Sequence, residues 1–178
     1  MDNEFNKVEV MIKPSKIHIQ KNSYVTLCYK LCNSLYKVLE ERTATDPLIF
    51  LQGYGQLLPA VELALEGQVT GFTTSIKLPP DQAYGVYKKE LVSEVARDQF
   101  AANLDLKFGM KFDTVGPEGQ PIVVRILKIE DNLITLDGNH PLAGQELIFE
   151  LNVLSVRQAS TEELEDFSKG IVPGTQLH

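Results

Sequence analysis

The side chains able to do covalent or metal chemistry are few, and their spacing suits none of the common arrangements. Histidine occurs at His18, His140 and His178, far apart along the chain. A metal centre needs several His, Cys or carboxylate ligands brought together. Cys28 and Cys32 add little. They lie four apart in an alternating segment, roughly 13 Å at strand rise, which is too far for a disulfide, and they read as small packing residues. Ser-His-Asp catalysis would have to use His140, which sits in a Pro- and Gly-rich loop and reads as structural. Glu40 and Glu41 are strand neighbours that point to opposite faces, so they do not form the facing pair of a glycosidase. Gly53-Tyr54-Gly55 lacks the third glycine of a dinucleotide fingerprint and the Lys-Ser/Thr of a phosphate loop, and reads as a turn. No metal and no cofactor is expected. What remains is a set of aromatic and aliphatic residues near turns, the lining of an apolar groove.

The elements that would position such a groove are mostly strands. In SYVTLCYKLC, residues 23–32, Val25, Leu27, Tyr29 and Leu31 fall on one face and Thr26, Cys28, Lys30 and Cys32 on the other. PLIFL follows Asp46-Pro47. A short helix is predicted next, with Pro59 in its first turn, an apolar stripe of Leu58, Val61, Ala64 and Leu65, and Gly67 as its C-terminal stop. Residues 72–79 read as a strand ended by Pro79-Pro80, and Ala83-Tyr84-Gly85 closes the loop after it. From 86 to 138 the texture changes. Scattered apolar residues lead to a turn at Gly116-Pro117-Glu118-Gly119 and two β-rich runs, PIVVRILKI and NLITL, which together suggest a small β-rich unit with one short helix. NHPLAGQE is a compact loop, LIFELNVLSV a long strand, and Ser160-Thr161-Glu162-Glu163 a capping box that opens a short helix. Strands outnumber helices without βαβ alternation, so the class is α+β rather than a parallel doubly wound sheet.

The chain has 178 residues, 43% of them hydrophobic and 23% charged, which suits one domain or two small ones. Lys and Arg number 17 against 24 Asp and Glu, a net charge of −7. That balance gives no general attraction to phosphate backbones, so nucleic acid is not an expected partner. Trp is absent, so an aromatic pocket must come from Tyr and Phe. The opening MDNEFNKVEVMIKPSKIHI lacks the basic start and apolar stretch of a signal peptide, and no run reaches the length of a membrane span. A cytoplasmic location without membrane attachment is expected, with residues 1–16 as an extension ahead of the fold.

Several segments in order say more: VTLCYKL, PLIFLQGYGQLLPAVELALEG, AYG, DGNHPLAGQ and LIFELNV. From about Ile17 to Glu163 the chain resembles the FKBP-type peptidyl-prolyl isomerases, in particular the SlyD-like bacterial branch, and the stretch Asp137 to Gln145 is the most specific part of the likeness. The resemblance implies a half-open antiparallel sheet over a short helix, with a second small β-rich domain inserted in the flap. The isomerase domain would be 17–86 plus 139–159, the inserted chaperone domain 87–138, and 160–178 a short C-terminal helix and tail. It implies catalytic roles for Tyr84, Glu40, Leu58 and Phe149, and a substrate-binding lining of Tyr29, Leu39, Leu48, Phe50, Leu57 and Val61. The chain departs from the family pattern at Glu40, where Asp is usual, at Tyr36 and Ala60, where Gly is usual, and at Val61 on the helix floor. The branch's His- and Cys-rich metal tail is absent, so nickel handling is not carried over.

The function so implied is acceleration of X-Pro isomerisation in folding proteins, with chaperone activity from the inserted domain. The alternative is a non-catalytic peptide-binding chaperone on the same scaffold. Expected partners are unfolded or partly folded proteins and proline-containing peptides, met by a monomer.

Overall fold

The computed structural model describes residues 16–116 and 119–171. The extension expected over 1–16 lies outside the described residues but for Lys16, and the tail beyond Ile171 lies wholly outside them.

Strand β1 (Ser23–Asn33) shows why alternation specifies a strand. Val25, Leu27, Tyr29 and Leu31 are buried, while Thr26, Cys28 and Lys30 between them are half-buried. The alternation ends at Cys32, which is buried beside Leu31, and both cysteines are free thiols. β1 anchors a five-stranded sheet with β2 (Val38–Arg42), β9 (Leu147–Gln158) and β4 (Thr73–Leu78) in the order β2-β1-β9-β4, and β3 (Leu48–Leu51) also pairs with β1. β3 runs antiparallel to β1 and sets Phe50 opposite Val25 and Leu48 opposite Leu27, so the apolar faces of both strands coincide.

Helix α1 (Pro59–Leu65) has proline in its first turn and buries Val61 and Leu65. Gly67 follows at φ +74° and donates its N–H to Ile19. Seven residues are too few to hold a helix in isolation, so side chains outside it do the holding. Buried Gln52 donates from Nε2 to the Glu62 carbonyl and to the Glu66 carboxylate. Helix α2 (Thr161–Ser168) begins with the reciprocal capping box of Ser160 and Glu163. Arg157 reinforces it by pairing with Glu163 while lying over the Tyr24 ring.

A second sheet is formed by β5 (Val92–Ala96), β6 (Lys111–Val115), β7 (Pro121–Glu130) and β8 (Leu133–Asp137), antiparallel throughout, in the order β5-β8-β7-β6. It has its own core. Val124, Ile126, Ile134 and Leu136 are buried, and Val95, Phe100, Leu106, Met110, Phe112 and Ile122 pack against them. Among the described residues this region holds no α-helix, contrary to the one expected there. Only the single 3₁₀ turns Lys89–Leu91 and Arg97–Gln99 occur. Val92 and Val95 belong to strand β5, and Phe100, Leu106 and Met110 pack from the following loop, so their irregular spacing reflects contact with the sheet core rather than a helical stripe.

The chain divides into two compact units. One comprises the described parts of Met1–Lys30, Glu41–Ser75 and Glu150–His178, the other Leu31–Glu40 and Ile76–Phe149. The second sheet lies wholly in the latter.

Candidate active site

Tyr84 stands in a short loop built by proline and glycine. Pro79 and Pro80 end β4 and start a 3₁₀ turn over Pro80–Gln82. Ala83 and Gly85 both donate their N–H to the Pro80 carbonyl, and Gly85 reaches its bond at φ +85°, a conformation with little cost for glycine. The turn curls the chain so that the Tyr84 ring lies parallel to His140, with centroids 4.1 Å apart and planes 3° apart. Its hydroxyl is buried and has no hydrogen-bond partner among the described residues. Burial, and after it the Glu40 carboxylate, push the Tyr84 phenol above its ordinary pKa.

The segment Asp137 to Gln145 holds this loop. The Asn139 side chain grips Lys88 at both backbone atoms, its Oδ1 accepting from the Lys88 N–H at 2.8 Å and its Nδ2 donating to the Lys88 carbonyl at 2.8 Å. Buried Asp137 fixes Asn139 in turn, with Oδ1 accepting from its backbone N–H at 2.9 Å and from Nδ2 at 2.7 Å. At the far end Gly144 donates its N–H to the Gly85 carbonyl. Its φ is +75°, and a Cβ there would lie 2.9 Å from the Tyr87 Cβ, so only glycine fits. His140 accepts the Leu142 N–H at Nδ1, 3.1 Å away, which places its proton on Nε2 in the neutral ring. Burial, and then the Arg125 guanidinium, hold the imidazole below its usual pKa, so the ring under Tyr84 is uncharged near neutrality.

The expected site residues separate by unit and by exposure. In the unit of Tyr84 lie Leu39, exposed near the middle of β2, Glu40, half-buried, and Phe149, 1% exposed at the start of β9. The other unit holds Tyr29, Leu48, Phe50, Leu57 and Val61, all buried, and Leu58, half-buried at the N-cap of α1. Tyr29 interacts with the Arg42 guanidinium, so its polar end has a protein partner where that of Tyr84 has none. Sequence reasoning took His140 for a loop residue of structural purpose and left out Asn139. The signal was present in the pattern Asp-Gly-Asn-His-Pro, in which a buried carboxylate, an amide and an imidazole follow at close intervals. No group of three or more His, Cys, Asp or Glu able to hold a metal occurs among the described residues.

No family model matches the chain. Individual proteins do. The FKBP-type peptidyl-prolyl cis-trans isomerase SlyD of Yersinia pestis is 36% identical over 147 residues, 83% of this chain and 75% of that protein. SlyD of Vibrio cholerae is 36% identical over 146 residues, 82% of this chain and 72% of its own length, and SlyD of Escherichia coli K12 matches at 36% over 146 residues, 82% and 74%. The chain belongs to the SlyD-like FKBP-type peptidyl-prolyl cis-trans isomerases.

Within this FKBP-type frame one departure has a visible conformational cost. Tyr36, at a position where the resemblance implies glycine, sits in the left-handed region at φ +58° with its ring exposed. A side chain there crowds the following carbonyl. Asn33 compensates in part, its Oδ1 accepting from the N–H of Leu35 and of Lys37 at 3.0 Å each.

Proposed function

We propose that this chain isomerises X-Pro peptide bonds in polypeptides, with Tyr84 as the hydroxyl that grips the substrate. The observation that carries the reading is the buried, unpartnered Tyr84 hydroxyl on a ring fixed from below by neutral His140. A buried donor left unmade costs about 1–3 kcal/mol, and a substrate carbonyl would recover that cost. The reaction breaks no bond. Its barrier of ~18–20 kcal/mol comes from amide resonance, and the twisted transition state is less dipolar than the planar amide. An apolar surface that excludes water therefore favours the twisted form. Each ~1.4 kcal/mol of such preference gives a factor of ten in rate.

The accessible residues Leu39, Glu40, Leu58 and Tyr84 are read as those that meet the peptide, with the Leu58 N–H as a second donor. Tyr29, Leu48, Phe50, Leu57, Val61 and Phe149 are read as further apolar residues of the substrate-binding site. Residues 17–86 with 139–159 are read as the isomerase domain and 87–138 as an inserted chaperone domain. In support, the second sheet runs from Val92 to Asp137 with a core of its own and exposes Val115 and Val123, as the loop before β6 exposes Phe108. Clients would be partly folded proteins containing proline, met in the cytoplasm by a monomer. Among the described residues no helix is long and apolar enough to cross a membrane.

A protease-free isomerisation assay on a short X-Pro peptide tests the enzymatic reading. Acceleration in proportion to protein concentration is expected. The near-complete burial of Phe50, Val61 and Phe149 favours the second reading, a peptide-binding chaperone without turnover. Peptide binding with an unchanged isomerisation rate would establish that reading instead.

A further inference from the structure

A row of residues crosses the second sheet. Val92 on β5, Asp137 on β8, Arg125 on β7 and Lys111 on β6 are successive register partners. Partners directly opposite on neighbouring strands share a face, so two cations and one carboxylate stand side by side. Their bonds do not balance. Asp137 is fully buried and commits Oδ1 to Asn139, which leaves Oδ2 for Arg125 Nη2 at 3.3 Å. The Arg125 Nε–H is buried and has no hydrogen-bond partner among the described residues. Lys111 forms no ion pair among them, nor does Asp113, the next residue of β6 on that face. Like charges opposite one another in a sheet are destabilising, and an unmade buried donor adds to the cost. An incoming anion would relieve both.

There is room for one. A cavity of about 320 Å³ is bordered by Lys111, Arg125, Asp137, Asn139, His140 and Pro141. His140, on whose ring Tyr84 stacks, is among the lining residues. A guanidinium offers several N–H donors in one plane and matches a planar carboxylate, and Lys111 adds a second charge at the rim.

We propose that this cavity binds an acidic side chain of the client polypeptide, a few residues from the proline held at Tyr84. The inference rests on the reading of Tyr84 as the substrate-gripping residue, and it makes the isomerase selective for prolines with a nearby Asp or Glu. An extended chain advances about 3.3 Å per residue. Because His140, stacked on Tyr84, also borders the cavity, an acid a few residues from the proline reaches it.

The test uses the full chain and end-capped peptides around one X-Pro bond, with Glu and then Gln scanned along both flanks. At one flank position Glu is expected to raise kcat/KM about five- to tenfold over Gln. The advantage should shrink as salt is added, disappear in Lys111→Gln and reverse in Lys111→Glu. A second readout is independent of turnover. The Arg125 Nε–H signal in ¹⁵N-resolved NMR spectra should move on titration with the favoured Glu peptide and stay in place with its Gln counterpart. Turnover of every peptide without a Glu preference, with the Arg125 signal unmoved, would overturn the acidic subsite and leave the isomerase reading intact. A moving Arg125 signal with no turnover of any peptide would support the subsite and reject the isomerase.

Discussion

The Tyr84 and His140 rings are stacked 3° from parallel, with centroids 4.1 Å apart. The stack fixes the plane of Tyr84 from one side and leaves its hydroxyl buried without a protein partner. If Tyr84 grips the substrate as proposed, packing and hydrogen bonding pull stability and function in opposite directions at this one side chain.

Tyr84→Phe keeps the ring and removes the unmade donor. The variant is expected to be as stable as the parent or more stable by up to about 1 kcal/mol. Its kcat/KM on an X-Pro peptide should fall by about fivefold or more. Denaturant melts and the peptide assay on the same sample decide it. Equal losses in both would make Tyr84 an ordinary core residue.

His140 is held below its ordinary pKa by burial and by Arg125. Its folded value lies below its unfolded one, so the unfolded state binds the proton more readily, and stability falls as pH drops below about 6.5. Ring-proton NMR of His140 should give a midpoint under that of an unstructured histidine. A midpoint at or above it would contradict the neutral stack.

The strands were legible where one face is buried and the other is not. β1 and the later part of β9 carry that pattern, β3 was legible instead as a short apolar run, and the Ser160 capping box marks the start of α2. In β2 Glu40 and Glu41 were legible as strand neighbours, but the bounds Val38–Arg42 were not, because the segment is largely exposed and VLEER shows no alternation. Tyr84 could be singled out because glycine and proline announce its turn. The pattern Asp-Gly-Asn-His-Pro marks the loop of His140, but the stacking of His140 on Tyr84 was hidden, because it joins two loops distant in sequence that the Asp137–Asn139–Lys88 bonds hold together. The Lys111–Arg125 opposition was hidden for a similar reason. It depends on strand register, which the sequence of either strand alone does not state.

Tyr36→Gly removes a side chain from a left-handed backbone position, φ +58°, where the ring is largely exposed. The relief of crowding outweighs the extra unfolded-state freedom of glycine. A gain of about 0.5–1 kcal/mol is expected, read as a higher urea midpoint with unchanged slope.

The Glu163 carboxyl is held at about 2 by its pairing with Arg157 and then by the Ser160 N–H. Its folded value lies below its ordinary one, so its contribution is present above about pH 4.5 and lost as pH falls toward 2. Glu163→Gln should cost about 0.5–1 kcal/mol at neutral pH, since the pair is partly solvated. The gap between the two thermal melting curves should close on acidification. A constant gap down to pH 2.5 would show that the charge contributes nothing.

The grip of Asn139 on Lys88 also sets the terms on which this protein can be recombined. The loop segments at Lys88 and Asn139 meet within one hydrogen bond of each other, so, on the proposal that an inserted domain lies between them, a replacement module needs ends equally close together. Asp137 stays on the host side of the splice, because Asn139 loses its orientation without it. On the same proposal the exchangeable segment runs from after Lys88 to before Asp137, and a graft cut at Gly138 would carry away the residue that orients Asn139.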